Sequence, residues 1–245
     1  MIEIEHLTKR FADLVAVDGI DLTVSEGEFF AFIGPNGAGK TTTIKMLTGL
    51  LKPSEGTVKL CGYDVQKEYI AAKNVLSYIP DQPYLYDKLS GREFLRFVAR
   101  MYQIEPQVAK KKIEELSETF DLADFIDELG ETYSHGMKQR IVITAALLHN
   151  PDVIIIDEPL VGLDPHGANV FKEVFRDCTA RGSTVFMSTH TLSLAEEVAD
   201  RVGIINNGRI IALGSLDDIR RKARTDGKLE QAFLRLTEET TSSAP

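Results

Sequence analysis

The sequence predicts a mixed α/β domain in which strands alternate with helices, carrying a helical subdomain at about residues 88–140. Three observations carry this expectation. Short, wholly apolar runs such as "FFAFI" and "VIII" suit strands buried on both faces. Stretches with helical periodicity follow those runs. From Ser90 to about Gly130 strand signals vanish and helix signals take over.

Taken in order, "IEIEHL" alternates apolar and polar residues, the period of a half-buried strand. A turn at "SEGE" leads into "FFAFIG", and "TTTIKMLTGL" then reads as a helix with a glycine stop. "KPSEG" is a turn before one further strand, "TVKLCGYDV". Ser90 and Glu93 have the spacing of a capping box, after which Phe94, Phe97, Val98 and Met101 form one apolar face. Pro106 opens the next helix, with Ala109, Ile113, Leu116 and Phe120 along its stripe. "YSHGMKQR" precedes the apolar run "IVITAALL". "DVIIIDEP" is a buried strand, "GANVFKEVFRDCTAR" a helix, "STVFMST" a strand and "SLAEEVAD" a helix. "RVGIINNGRIIALG" reads as a hairpin turning at Asn207-Gly208. Ser215 and Asp218 cap a helical extension at 215–236, and 237–245 reads as a disordered tail. The core is thus expected at 1–87 and 141–214, with no internal repeats.

Among 245 residues the net charge is -9, which argues against a nucleic-acid partner because phosphate neutralisation needs a basic surface. Cys61 and Cys178 stand far apart with no Cys-x-x-Cys pair, as expected of thiols in a reducing compartment. The N-terminal "MIEIEHLTKR" lacks the layout of a secretory signal, and no apolar run approaches the ~18 residues of a membrane span. A soluble protein is expected, any membrane role coming through a partner.

"GPNGAGKTT", Gly34 to Thr42, fits the spacing Gly-x-x-x-x-Gly-Lys-Ser/Thr. Glycines let backbone N–H groups turn inward around phosphate oxygens, and Lys40 adds a full positive charge. Thr41 offers a hydroxyl to magnesium, and the following helix points its positive end at the same anion. By chance these four fixed positions coincide in roughly one chain per hundred of this length. Here they also lie between an expected strand and an expected helix, which marks a nucleoside triphosphate site. Asp157, ending "VIIID", is suited to holding magnesium through its water shell, and Glu158 to orienting or deprotonating an attacking water. Ser134-His135 reads as a helix cap, a nucleophile and its base, or an anion dock; the motif alone leaves these open.

Taken in order, "GPNGAGKTT", the helical insertion, "YSHGMKQR", "VIIIDEP", "GLDP" and "STH" resemble the ATP-binding subunits of ABC transporters over nearly the whole chain. The resemblance implies a P-loop NTPase core of the ABC ATPase type, with an antiparallel β part and the helical subdomain. It implies ATP and Mg2+ as ligands, with Gly34, Pro35, Asn36, Gly37, Ala38, Gly39, Lys40, Thr41 and Thr42 around the phosphates. Phe11 matches the aromatic that stacks on adenine, and His190 the histidine that touches the γ-phosphate and steadies Glu158. A second ABC ATPase domain, from the same chain or a paralogue, binds head to tail in this family. Ser134 and Gly136 would then face the partner's γ-phosphate, and Asp164 would couple the two sites. Tyr133, His135 and Met137 depart from the family's Leu-Ser-Gly-Gly-Gln. The family's Gln loop falls in "YIPDQPYLY", where Asp81 takes the usual register and Gln82 comes one residue late. The resemblance further implies an integral membrane subunit on another chain and a place on the cytoplasmic face of the membrane. "YIPDQPYLYDKLSGREFLRF" and "KLEQAFLRLTEE" look like the exporter class called ABC type two, and the long C-terminal regulatory domain of several sugar importers is not expected. The rival readings are a soluble assembly factor and a weakly hydrolysing regulatory module.

Overall fold

Alternation along three wholly buried strands sets the layering. The structure is a computed structural model that describes the backbone of residues 1–242. In strand β3 (Phe29–Ile33), Phe29, Ala31 and Ile33 join one apolar cluster while Phe30 and Phe32 join another. β7 (Val153–Asp157) and β8 (Thr184–Thr189) divide in the same way, Ile154 and Ile156 against Val153 and Ile155, Val185 and Met187 against Phe186. A period of two with both faces apolar is what a sheet covered on both sides demands.

That sheet has six strands in the order β10-β9-β3-β8-β7-β6, with β6 (Leu76–Ile79), β9 (Arg201–Asn206) and β10 (Arg209–Gly214). Only the β9–β10 pair is antiparallel. Its hairpin turns on Asn207 (φ 47) and Gly208 (φ 77), the left-handed pair that the Asn-Gly dipeptide favours. One face packs on α1 (Lys40–Leu47) and on a four-stranded antiparallel sheet, β2-β1-β4-β5. Those strands are β1 (Ile2–Phe11), β2 (Leu14–Val24), β4 (Glu55–Leu60) and β5 (Tyr63–Asp64). A helix α2 (Tyr69–Val75) leads directly into β6.

The other face carries the helices. These are α3 (Gly91–Met101), α4 (Pro106–Thr119), α5 (His135–Leu147), α6 (Pro165–Ala180), α7 (Leu192–Val198), α8 (Leu216–Lys222) and α9 (Leu229–Ser242). The Ser90–Glu93 and Ser215–Asp218 capping boxes form, as does Pro106 at the first turn of α4. Among the described residues no helix is long and apolar enough to cross a membrane.

The structure differs from the sequence reading at four places. "TVKLCGYDV" is two strands, broken where Cys61 (φ 49) and Gly62 (φ 86) turn the chain. In α3 the buried face is Gly91, Leu95 and Ala99, while Phe97 and Met101 are exposed, at 41% and 66%. The strand β2 and the pair α2–β6 carry no expectation from the sequence. Helix α9 continues through Ser242, with Leu229, Ala232 and Leu236 buried, so the expected tail at 237–245 is helical that far. Residues 243–245 of that tail lie outside the described residues.

The parallel strands β3, β6, β7 and β8 all point their carboxyl ends the same way. The segments leaving them begin at Gly34, Pro80, Glu158 and His190, the edge at which such sheets bind ligands.

Candidate functional site

Backbone shape comes first at this edge. The loop from β3 to α1 closes on Gly39, the N-cap of α1, at φ 110. A side chain there would be strained, and its Cβ would lie 2.6 Å from the Ala16 carbonyl oxygen. Gly34 is equally confined, its hypothetical Cβ 2.4 Å from the Ile205 oxygen. Lys40 is buried, and its Nζ donates to the carbonyls of Gly34 (2.8 Å) and Pro35 (3.3 Å). Burial lowers the pKa of this ammonium, while Glu158 and Asp157 oppose the shift. The Gly208 amide donates to the Ala38 carbonyl at 2.9 Å, fixing the loop to the β9–β10 turn.

These groups open onto a cleft of about 640 Å³. Asn36, Gly37, Gly39, Lys40, Thr41 and Thr42 form its floor, and Phe11 stands at one wall. Asp81, Glu158 and His190 face them. Gly34, Pro35 and Ala38 shape the loop from behind without lining the cleft. Phe11 is 45% exposed at the cleft, and Lys9 Nζ lies over its ring, 5.1 Å from the centroid.

Asp157 is buried at the end of β7. Burial raises its pKa, and the neighbouring Ser188 and Thr41 hydroxyls oppose the rise. The Ser188 hydroxyl binds Oδ1, while Oδ2 is buried with no hydrogen-bond partner among the described residues. A buried, unpaired carboxylate oxygen beside a threonine hydroxyl fits a hard divalent cation, which takes oxygen ligands and keeps part of its water shell. Glu158 follows in the left-handed region at φ 48. Its Oε2 lies 2.8 Å from His190 Nδ1 and 3.3 Å from the Thr189 hydroxyl and the His190 amide. Pairing with the histidine thus holds the carboxylate at the cleft lining.

Of the two Gln-loop candidates, Asp81 lines the cleft and accepts the Gln82 amide at 2.9 Å. Gln82 lines an adjoining recess with Asp81, His135, Lys138 and Glu158. Ser134, Gly136 and Asp164 line neither space. Ser134 caps α5, its Oγ accepting the Met137 amide at 3.2 Å, and it remains on the surface. Met137 closes the box with sulfur, Ser134 N donating to Sδ at 3.4 Å. Asp164 caps α6, accepting the Gly167 amide at 2.7 Å and Arg140 at 3.1 Å. Those partners, the amide first, hold its carboxyl below the usual range.

The structure adds Leu14, Val15, Ala16, Asn207 and Gly208 to the cleft lining. Leu14 and Val15 are exposed apolar residues across a tight turn from Phe11, a visible signal. Asn207-Gly208 reads from sequence only as a turn, and its place in the cleft comes from the tertiary fold.

Comparison with known proteins agrees with this geometry. The family model described as "ABC transporter" matches residues 17–161, more than half of the chain. The uncharacterized ABC transporter ATP-binding protein YhcH of Bacillus subtilis is 41% identical over 89% of this chain and 71% of its own length. The linearmycin resistance ATP-binding protein LnrL of the same organism is 38% identical, over 89% and 70%. A solved structure of an ATP-binding subunit of an ABC transporter superimposes with TM-score 0.92 at 34% identity, covering 97% of this chain and 99% of its own. A cleft formed around a glycine-shaped loop, in a chain with likenesses of this extent, has one explanation: the chain belongs to the ABC transporter family, among its ATP-hydrolysing, ATP-binding subunits.

Proposed function

We propose that this chain energises an exporter of the ABC type-two class, acting as a head-to-tail pair of ATPase domains on a separate membrane subunit. The observation that carries the catalytic part is the Glu158–His190 pair, 2.8 Å apart and facing Lys40 across the cleft. In this reading Phe11 stacks on the adenine, and the amides of residues 34–42 cradle the phosphates. Lys40 leaves its carbonyl partners for the β and γ phosphates, and its charge offsets what develops there in the transition state. Glu158 takes the proton of the attacking water, with His190 fixing the carboxylate's orientation. Mg2+, held by Thr41 and the free oxygen of Asp157, would supply charge neutralisation on the triphosphate. Asp81 would then stand beside that centre in the place of the family's glutamine.

The cross-dimer contacts are proposed in the same terms. Ser134 carries an exposed hydroxyl at the positive end of α5, where an anion from a second molecule can reach it. This favours the anion-dock reading, and capping Met137 is compatible with it. For the membrane subunit we assign the exposed face of Tyr84, Tyr86, Phe97 and Met101 beside an apolar groove of about 380 Å³. That face lies on the helical unit at 88–140 and the segment before it, against the core at 1–87 and 141–214. The place of action would be the cytoplasmic face of the membrane. Export is supported by the names of relatives for linearmycin and daunorubicin resistance.

The test is the purified protein with Mg·ATP. Wild type should hydrolyse ATP. Glu158→Gln should bind ATP, lose turnover and run as a dimer in gel filtration. A Glu158→Gln protein hydrolysing at the wild-type rate would sink the base assignment.

A further inference from the structure

Gln139 lies one turn inside α5, and its side chain is completely buried at 0% exposure. Its Nε2 donates to the carbonyl of Pro159 at 3.3 Å, which also fixes the amide's orientation, since a carbonyl can only accept. Its Oε1 is buried with no partner among the described residues. For packing alone this is a poor choice, because an apolar chain of the same length would leave no polar oxygen stranded. Pro159 explains what the amide secures. Proline has no N–H, so the Pro159 carbonyl is the one hydrogen-bonding handle that residue offers. The residue before it is Glu158, held at φ 48 without being glycine, a conformation that persists only where the surroundings over-determine it.

The same helix end grips the rest of the segment. Gly136 packs against the Gly162 carbonyl so closely that a Cβ would come within 2.5 Å. The His135 ring occupies the space a Cβ on Gly162 would need, 2.2 Å away. Arg140 pairs with Asp164. These contacts hold the segment downstream, and Gln139 alone of the four reaches the residue next to Glu158.

We propose that Gln139 is a positioning residue for Glu158, tethering the carboxylate's backbone to the first turns of α5. The inference rests on the reading of Glu158 as the group that activates water. Because α5 also presents Ser134, the tether links whatever binds the start of α5 to the carboxylate of the same chain.

The test is Gln139→Met in the full chain, which keeps length and loses the bond. Thermal midpoint, nucleotide Kd by calorimetry, kcat and KM are measured beside wild type and Glu158→Gln. We expect a midpoint close to wild type, because losing the stranded Gln139 oxygen offsets leaving the Pro159 carbonyl without its donor. Kd and KM should be unchanged, and kcat should fall about tenfold, the equivalent of about 1.4 kcal/mol. Wild-type kcat overturns the proposal. So does a kcat loss that comes with a lowered midpoint and weakened nucleotide binding, which is the pattern of a structural role. Gln139→Leu, read in the same way, guards against a packing fault peculiar to methionine. Failure of the underlying reading looks different: Glu158→Gln would keep its turnover. If Glu158→Gln is dead while Gln139→Met is fully active, only the tether falls.

Discussion

Removing one oxygen from Tyr133 tests how the start of the α5 segment is fastened to the helical unit. Tyr133 is buried, and its hydroxyl accepts the Gly91 amide at 3.0 Å. It donates toward the carbonyls of Phe125 (2.7 Å) and Glu128 (3.0 Å). Phe125 keeps a second partner in the Glu128 amide, but Gly91 N–H, in the first turn of α3, loses its hydrogen bond. In Tyr133→Phe the ring still packs edge-on to Phe125, so the loss is confined to hydrogen bonding. One stranded buried donor plus one lost donated bond amounts to about 3 kcal/mol. For a chain of this size about 2–4 °C of melting temperature follows each kcal/mol, so the midpoint should fall by about 6–12 °C. Differential scanning calorimetry reads the shift, and titration calorimetry should find nucleotide affinity unchanged. A midpoint within about 2 °C of wild type, well below that range, would show that Gly91 does not depend on this hydroxyl.

Lys40→Ala removes a charged donor from the phosphate loop and should weaken ATP binding by about tenfold or more, read by titration calorimetry; unchanged affinity contradicts the loop's role. Glu158→Gln should lower kcat by at least about a hundredfold while ATP still binds, which steady-state turnover and equilibrium binding together decide. Burial against Tyr102 lowers the pKa of His149 to about 4 from an ordinary 6.5, with Lys112 and Asp152 as its charged neighbours. The unfolded chain therefore takes up this proton first, so the group's contribution is intact above pH 6.5 and drains as pH falls toward 4. Melting curves across that window should show a shallower pH dependence in His149→Phe. Met101→Glu, on an exposed site of α3, should leave melting temperature and ATPase activity of the isolated chain intact yet reduce co-purification with a membrane subunit.

What the sequence reveals here follows from how local its causes are. The phosphate loop, the acid at the end of β7 and the Asn-Gly hairpin are legible because their residue types are dictated by backbone geometry or charge within a few positions. Strand β2 hides because its alternation from Val17 to Val24 is interrupted at Asp18-Gly19, where its register with β1 shifts and Gly19 sits at φ 62. Helix α2 and strand β6 hide because "YIAAKNVLSYI" passes from helix to strand with no turn residue between them. Helix α3 misleads because it carries two apolar faces. Leu95 and Ala99 face the core with Phe94 and Val98 of the expected stripe packed against it, while Phe97 and Met101 stay exposed. Periodicity picks out the stripe with the larger side chains but does not say how far round the helix the fold covers. Gln139 carries no signal, since a glutamine on a helix ordinarily faces water. The placing of Asp81, rather than Gln82, in the cleft likewise depends on how the segment after β6 turns.

The central claim is that ATP hydrolysis in this cleft drives a membrane protein on another chain. Tagging the chain, solubilising its native membranes in mild detergent and identifying what stays bound by mass spectrometry addresses that claim directly. The account predicts a membrane protein of several spans that is retained by wild type and reduced in Met101→Glu. A soluble partner, or nothing from the membrane fraction, would contradict it and favour an assembly factor or a regulatory module.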